Sequence, residues 1–198
     1  MMNKRITNIN KINCFKGFFQ LDKIQYQFSK YQGGLSSLIT RELFIRGDAV
    51  IVFLYDAKHQ KIILVEQCRT GAINFNRTNN EQAWLLEPVA GMIDTGESQL
   101  DACHREAKEE AGVNNAQFEF VCRYYPSPAS CEEVLHMYAA EIDYRDLPQY
   151  AGLDSEAEDI RIVILDYKDA KQKLLNGDFN VASTIIALQW LFLKNVSS

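Results

Sequence analysis

The chain has 198 residues and a formal net charge of -5, which fits one domain of about 150 residues plus an accessory segment. Its 47% hydrophobic and 11% aromatic content fills a core and excludes a disordered or fibrous chain. No Lys/Arg run marks a nucleic-acid surface, and no apolar stretch approaches the roughly 18 residues that a membrane span needs. The start, Met1-Met2-Asn3-Lys4-Arg5, continues with polar residues, so no secretory leader and a cytoplasmic location are expected. Five cysteines, an odd number with no Cys-x-x-Cys pair, predict reduced thiols rather than a disulfide framework or a zinc cluster. An acidic chain still binds an anion where metal ions reverse the local field.

In chain order, residues 12–46 read as strands with polar interruptions. Ile24, Tyr26 and Phe28 alternate with polar neighbours, Leu38, Thr40 and Glu42 do so less cleanly, and Gly33-Gly34 between them marks a turn. Ala49–Tyr55 and Ile62–Val65 are apolar, β-branched runs that predict a hairpin of buried strands joined through residues 56–60. Trp84–Met92 predicts another strand, interrupted by Pro88, which argues for an edge or a bulge there. A helix is predicted from Ser98 to Ala111, with Ser98 and Asp101 as a capping pair and Gly112 as a left-handed cap. Phe118–Tyr125, Val134–Ile142 and Ile160–Leu165 read as strands, and Tyr167–Asn176 and Val181–Lys194 as closing helices. This order gives an α+β chain, divided into a strand-rich arm over 1–48 and a domain over 49–198.

The segment from Gly91 to Val113 carries the chemistry. Glu106 and Glu110 stand four apart on the predicted helix, so their carboxylates share a face, with Glu109 beside them. Like charges at that spacing repel, and a hard divalent cation between them turns the penalty into binding while keeping waters for a phosphate substrate. Arg105 pairs with a carboxylate, Glu97 being the candidate at the start of the helix. A solvated acidic face would explain the glutamates alone. It gives no reason for Gly91, Glu97, Arg105 and Gly112 to fall where they do.

The spacing resembles the Nudix box, Gly-x5-Glu-x7-Arg-Glu-U-x-Glu-Glu-x-Gly-U with U apolar, and every defined position matches, Ala107 and Val113 being the apolar ones. The resemblance implies a mixed β-sheet sandwiched between helices and hydrolysis of a nucleoside diphosphate linked to another moiety. It implies metal ligation by Glu106, Glu110 and the Ala90 carbonyl, with Glu109 as a further ligand or a partner of metal-bound water. Mg2+, or Mn2+ as the alternative, is expected with more than one ion per site.

Outside the box the chain is similar to the bacterial ADP-ribose pyrophosphatases. The matching stretches are Lys16–Phe19, Thr40–Glu42, Val65–Arg69, Leu86–Gly91 and Ile185–Leu191, together with Pro128 beyond the box. The reaction implied is hydrolysis of ADP-ribose to AMP and ribose 5-phosphate, with a homodimer formed through the arm. Ala129-Ser130 departs from the two glycines common in relatives, which leaves the terminal-ribose contact open.

By the same resemblance, Phe18 stacks on adenine; taken alone, an aromatic beside Phe19 reads equally as core packing. Arg41 and Arg69 bind base, ribose or diphosphate, although a lone Arg in a strand is commonly a surface residue. Glu133 contacts the terminal ribose, or is a rim charge. The acidic stretch 154–159 reads by itself as a solvated loop. Its place before the last strand matches the family's catalytic loop, with Glu156 favoured as general base and Glu158 for metal. In an extended loop the two would point the same way. His59, His104 and His136 lack ligand spacing to one another, which favours packing or surface roles. Two competing readings remain: another nucleoside diphosphate sugar such as GDP-mannose, and a module that senses ADP-ribose without cleaving it. Degenerate sensors usually lose a box carboxylate, and here all three are present.

Overall fold

The computed structural model describes residues 4–75 and 79–194. Met1–Asn3, the start read above as carrying no leader, lie outside the described residues. In chain order the strands are β1 (Ile6–Lys16), β2 (Gln20–Phe28), β3 (Ile39–Ile45), β4 (Ala49–Asp56), β5 (Lys61–Cys68), β6 (Trp84–Glu87) and β7 (Val89–Met92). Helix α1 (Gln99–Ala111) follows, then β8 (Glu119–Tyr124), β9 (Cys131–Glu132), β10 (Leu135–Glu141), β11 (Tyr150–Ala151) and β12 (Ile160–Asp166). Helices α2 (Tyr167–Asn176) and α3 (Ala182–Lys194) come last. Among the described residues no helix is long and apolar enough to cross a membrane.

The residues fall into two compact units, one running to Asp48 and including Tyr125–Val134, the other holding Ala49–Tyr124 and the chain from Leu135 onward. The first unit therefore takes in 125–134, a stretch that the sequence places in the 49–198 domain.

The first unit is a four-stranded sheet in the order β1-β2-β3-β9, antiparallel except for β9, which lies parallel to β3 through Phe44 and Ile45. Strand β1 begins at Ile6, earlier than the alternation over 12–46 predicts. The cause is local: the β1–β2 register shifts between Thr7 and Asn10 and between Asn13 and Phe15, and Asn8 is left-handed with φ 53°. Each bulge moves the next side chain to the opposite face, so no clean two-residue period is left to read. Ile6, Ile9, Ile12 and Phe15 on this strand are all exposed. Asp22 on β2 has no exposed surface, and Lys11 (2.8 Å), Asn13 (2.9 Å) and Gln20 surround its carboxylate with donors.

The second unit is built on an eight-stranded sheet. Its main path is β11-β12-β5-β4-β10-β8, with β6 paired to β5 and β7 to β4. Strands β4 and β10 are parallel, from Leu135 opposite Ala49 to Glu141 opposite Tyr55, and the other pairings are antiparallel, so the sheet is mixed. The runs in β4 and β5 are continuously apolar because both faces of the sheet are covered. Val50, Val52, Ile63 and Val65 pack against Ala102, Cys103, Ala107 and Ala111 of α1. Ile51, Phe53, Ile62 and Leu64 face the other way, onto Ala170 of α2 and Ala187, Leu188 and Leu191 of α3. A mixed sheet between helices is the α+β arrangement expected from the sequence.

Pro88 interrupts the run as expected, but as a break between two strands instead of an edge or a bulge. Without an N–H it cannot continue a ladder, and the single run 84–92 becomes two strands with different partners. That break carries β7 across to β4 and brings its backbone beside α1.

Candidate active site

Helix α1 starts and stops where its caps dictate. The Ser98 hydroxyl accepts the Asp101 N–H at 3.2 Å, and Gly112, at φ 69°, donates its N–H to the Lys108 carbonyl at 3.0 Å. The residues it buries are Ala102, Cys103, Glu106, Ala107, Glu110 and Ala111, one stripe at helical spacing. Small side chains in that stripe let the helix approach the sheet closely. Two carboxylates therefore lie on the inner side of the helix, where an unpartnered charge costs several kcal/mol.

Each has its own compensation. Glu110 is 1% exposed; its Oε2 accepts the Ala90 N–H at 3.0 Å, and Gln67 Nε2 approaches its Oε1 at 3.4 Å. Burial pushes its pKa up to about 8, the Ala90 N–H opposing. Glu106 is also raised by burial, with the Arg105 guanidinium acting against it. The helix sits so close to β7 that a Cβ on Gly91 would fall 1.7 Å from Glu106 Oε1. Any side chain there would displace the Glu106 carboxylate from its place beside β7, which gives the glycine that opens the box a physical reason.

Arg105 fixes the loop ahead of the helix. Its Nε and Nη2 take the two oxygens of Glu97 at 2.9 Å each, and Nη2 also reaches the Met92 carbonyl at 2.9 Å. Its Nη1 is shared between Glu106 and Glu109, the latter at 3.3 Å. The fork pairing holds Glu97 below the usual carboxylate range. The pairing with Glu97 is as expected. All five guanidinium N–H groups of Arg105 are engaged, on Glu97, Glu106, Glu109 and the Met92 carbonyl.

The acidic loop approaches the same carboxylates. Gly152 donates its N–H to the Glu109 carbonyl at 3.1 Å, tying the chain after β11 to the last turn of α1. The negative charge of Glu158 raises both Glu106 and Glu110. The loop is not extended, contrary to the expectation above: Asp154–Glu156 is a single 3-10 turn and Ala157 is left-handed at φ 56°. The strand rule that would point both side chains one way does not apply. Glu158 is half-buried and its Oε2 accepts the Leu153 N–H at 3.4 Å, whereas Glu156 is exposed and its carboxylate makes no hydrogen bond or ion pair among the described residues.

These features coincide with the family pattern. A NUDIX domain model matches residues 45–185, which contain the whole arrangement of β7, α1 and the acidic loop. The chain belongs to the Nudix family. Among relatives, it is 37% identical over 180 residues to the ADP-ribose pyrophosphatase of Haemophilus influenzae, covering 91% of this chain and 82% of the relative. It is 36% identical over 187 residues to the ADP-ribose pyrophosphatase of Escherichia coli K12, covering 94% and 88%. A GDP-mannose pyrophosphatase of Shigella flexneri matches at 28% over 197 residues, 98% and 99% of the two chains.

The remaining expected residues of this Nudix chain divide between its units. In the second, Arg69 follows β5 and is paired through Nε to Glu87 of β6 at 2.6 Å. In the first, Phe18 stands in the β1–β2 turn, 88% exposed, edge-on to Phe19 with centroids 4.7 Å apart. Core packing within its unit is thereby excluded for Phe18. Arg41 on β3 is exposed and donates to the neighbouring Thr40 carbonyl at 2.9 Å. Glu133 is no rim charge: it is 7% exposed, raised by burial, and paired with Arg46 Nε at 3.1 Å. Arg46 in turn lies over the Phe19 ring at 5.5 Å. Neither Arg46 nor Gln67 was assigned from the sequence, although a lone amide in the apolar row of β5 was a usable signal.

Among the described residues one other set of ligand atoms, those of Asp56, His59 and Asp143, comes within 4.8 Å of one another. Spacing between histidines could not show it, because the partners are aspartates, Asp56 in the same turn and Asp143 from a distant segment. The set is closed by its own hydrogen bonds. Asp56 accepts His59 N (2.8 Å), His59 Nδ1 (2.7 Å) and Tyr144 N (3.2 Å), and Arg145 clasps Asp143. The result is a knot that fastens the β4–β5 turn. The box carboxylates lie wider apart, Glu106 engaged by Arg105 and Glu110 by Ala90 and Gln67.

Proposed function

We infer that the protein hydrolyses the pyrophosphate bond of ADP-ribose, giving AMP and ribose 5-phosphate in a divalent-metal-dependent reaction. The observation that carries this reading is the pair of buried carboxylates, Glu106 and Glu110, held on the inner stripe of α1 beside β7. Two inward acids bring no packing benefit to a helix that otherwise buries alanine and cysteine. They suit a hard cation, and Glu109, Glu158 and the Ala90 carbonyl complete an all-oxygen set. Their spread fits Mg2+, which keeps several waters and does not require carboxylates in mutual contact; Mn2+ is the alternative, and more than one ion per site is proposed. When bound, such ions neutralise the charge of the diphosphate and of the leaving group. The chain's own groups then have distinct parts. Arg105 holds the box loop in place, Glu156 offers an uncommitted carboxylate to a water, and Arg69, now on Glu87, is the cation available to the diphosphate.

ADP-ribose is favoured over GDP-mannose because the relatives named for it are closer, 36–37% identical against 28%. Phe18, Arg41 and Glu133 are proposed for the adenine and terminal-ribose contacts. A kinetic comparison of purified protein on the two substrates tests the choice. The kcat/KM for ADP-ribose should exceed that for GDP-mannose by at least about a hundredfold, as polar groups left unpaired by the wrong base and sugar would require. A reversed ratio would transfer the assignment to GDP-mannose. A sensing module that does not cleave is disfavoured by the retention of Glu106, Glu109 and Glu110.

We also propose a two-fold homodimer formed through the arm. The support is the four exposed apolar side chains Ile6, Ile9, Ile12 and Phe15 on an 11-residue strand at the end of its sheet, surface costly to leave in water. Light scattering at micromolar concentration should give twice the chain mass of 22.7 kDa. A monomer mass would overturn the dimer. No nucleic-acid or membrane partner is proposed, and a reduced, cytoplasmic setting suits the five free cysteines.

A further inference from the structure

Strand β5 lays Ile63, Val65 and Gln67 on one face by the two-residue period of a strand. Ile63 and Val65 belong to the apolar cluster beneath α1. Gln67 puts an amide, 6% exposed, where that row would otherwise place another apolar side chain. A buried amide is destabilising unless its polar atoms are satisfied, so its presence calls for a partner. The partner is Glu110. Gln67 Nε2 lies 3.4 Å from Oε1, while the Ala90 N–H meets Oε2 at 3.0 Å. Each carboxylate oxygen therefore receives one donor, from two different strands, and keeps further lone-pair capacity for another ligand.

We propose that Gln67 is a positioning residue for Glu110: with the Ala90 N–H it clamps the carboxylate so that both oxygens are presented to a divalent cation. Ala90 alone fixes one oxygen and leaves the carboxylate free to rotate about that contact; Gln67 removes the rotation. The proposal rests on the assignment of Glu110 as a metal ligand.

Mn2+ binding to the full chain, followed by electron paramagnetic resonance without substrate, tests it on wild type, Gln67→Met, Gln67→Leu and Glu110→Gln. Melting temperature in EDTA is recorded for each. Both apolar replacements keep the volume of the site but take the donor from Glu110 Oε1, and the EDTA melting temperature reports what that costs the metal-free fold. In protein still folded by that measure they should weaken Mn2+ binding about tenfold, as the loss of an outer hydrogen bond to a metal ligand typically does. The metal concentration for half-maximal hydrolysis should rise by the same factor, with kcat at saturating metal nearly unchanged. Mn2+ binding unchanged in both Gln67 variants but weakened in Glu110→Gln would overturn the role of Gln67 alone. Binding unchanged in Glu110→Gln as well would overturn the metal assignment beneath it.

Discussion

Glu110→Gln should lower turnover at least about a hundredfold at any metal concentration while leaving the metal-free fold more stable at alkaline pH than the wild type. The two halves of this expectation have one cause. In the folded chain burial lifts Glu110 from an ordinary value of 4.5 to about 8. A carboxylate raised in the folded state contributes stability that is fully present below the ordinary value and is lost as pH rises through the folded one. Between about pH 5 and pH 9 the metal-free wild type should therefore lose melting temperature relative to Glu110→Gln, by on the order of 10 °C. A divalent cation, which favours the ionised form, should restore it. Thermal melts of both proteins in EDTA and in excess Mg2+ across that range measure this. A pH-independent difference between them would show that Glu110 ionises in the fold without penalty. Near-wild-type hydrolysis by the variant would remove Glu110 from the metal site.

Glu156→Gln is expected to lower kcat by roughly two orders of magnitude with little change in KM, the pattern of a group that acts in the transition state. The helix carboxylates are committed: Glu106 and Glu109 face Arg105, and Glu110 faces Ala90 and Gln67. Glu156 has no such commitment among the described residues and sits on a short turn between β11 and β12, on a loop fastened to α1 through Gly152. Glu158, whose charge reaches both buried carboxylates, should on replacement by glutamine shift the metal dependence instead. Steady-state kinetics of both variants with metal titration separates the two roles. Full kcat in Glu156→Gln would pass the base to Glu109.

What could be read in the sequence was local, and what could not be read depended on contacts from elsewhere. The Ser98 and Gly112 caps, the break at Pro88 and the Arg105–Glu97 pair are set by residues close in the chain, and they stand as the spacing implies. The burial of Glu106 and Glu110 is different. It depends on β7 crossing under α1, which the helix sequence alone does not contain, so spacing could point these glutamates to a metal but not show that they are buried. Gln67 gains its meaning only from Glu110, 43 positions away. The rim-charge alternative for Glu133 could not be dismissed from the sequence because Arg46, its partner, belongs to another strand end. The bulges of β1 hid a strand by scrambling its period, and the turn at 154–156 defeated a rule that holds for extended backbone alone.

The most direct test of the central claim follows ADP-ribose by phosphorus nuclear magnetic resonance with purified protein and Mg2+. The diphosphate signals should disappear and be replaced by those of AMP and ribose 5-phosphate in equal amounts, and EDTA should stop the conversion. ADP-ribose that binds to the protein and stays intact in excess Mg2+ would contradict the account and make this chain a sensor rather than a hydrolase.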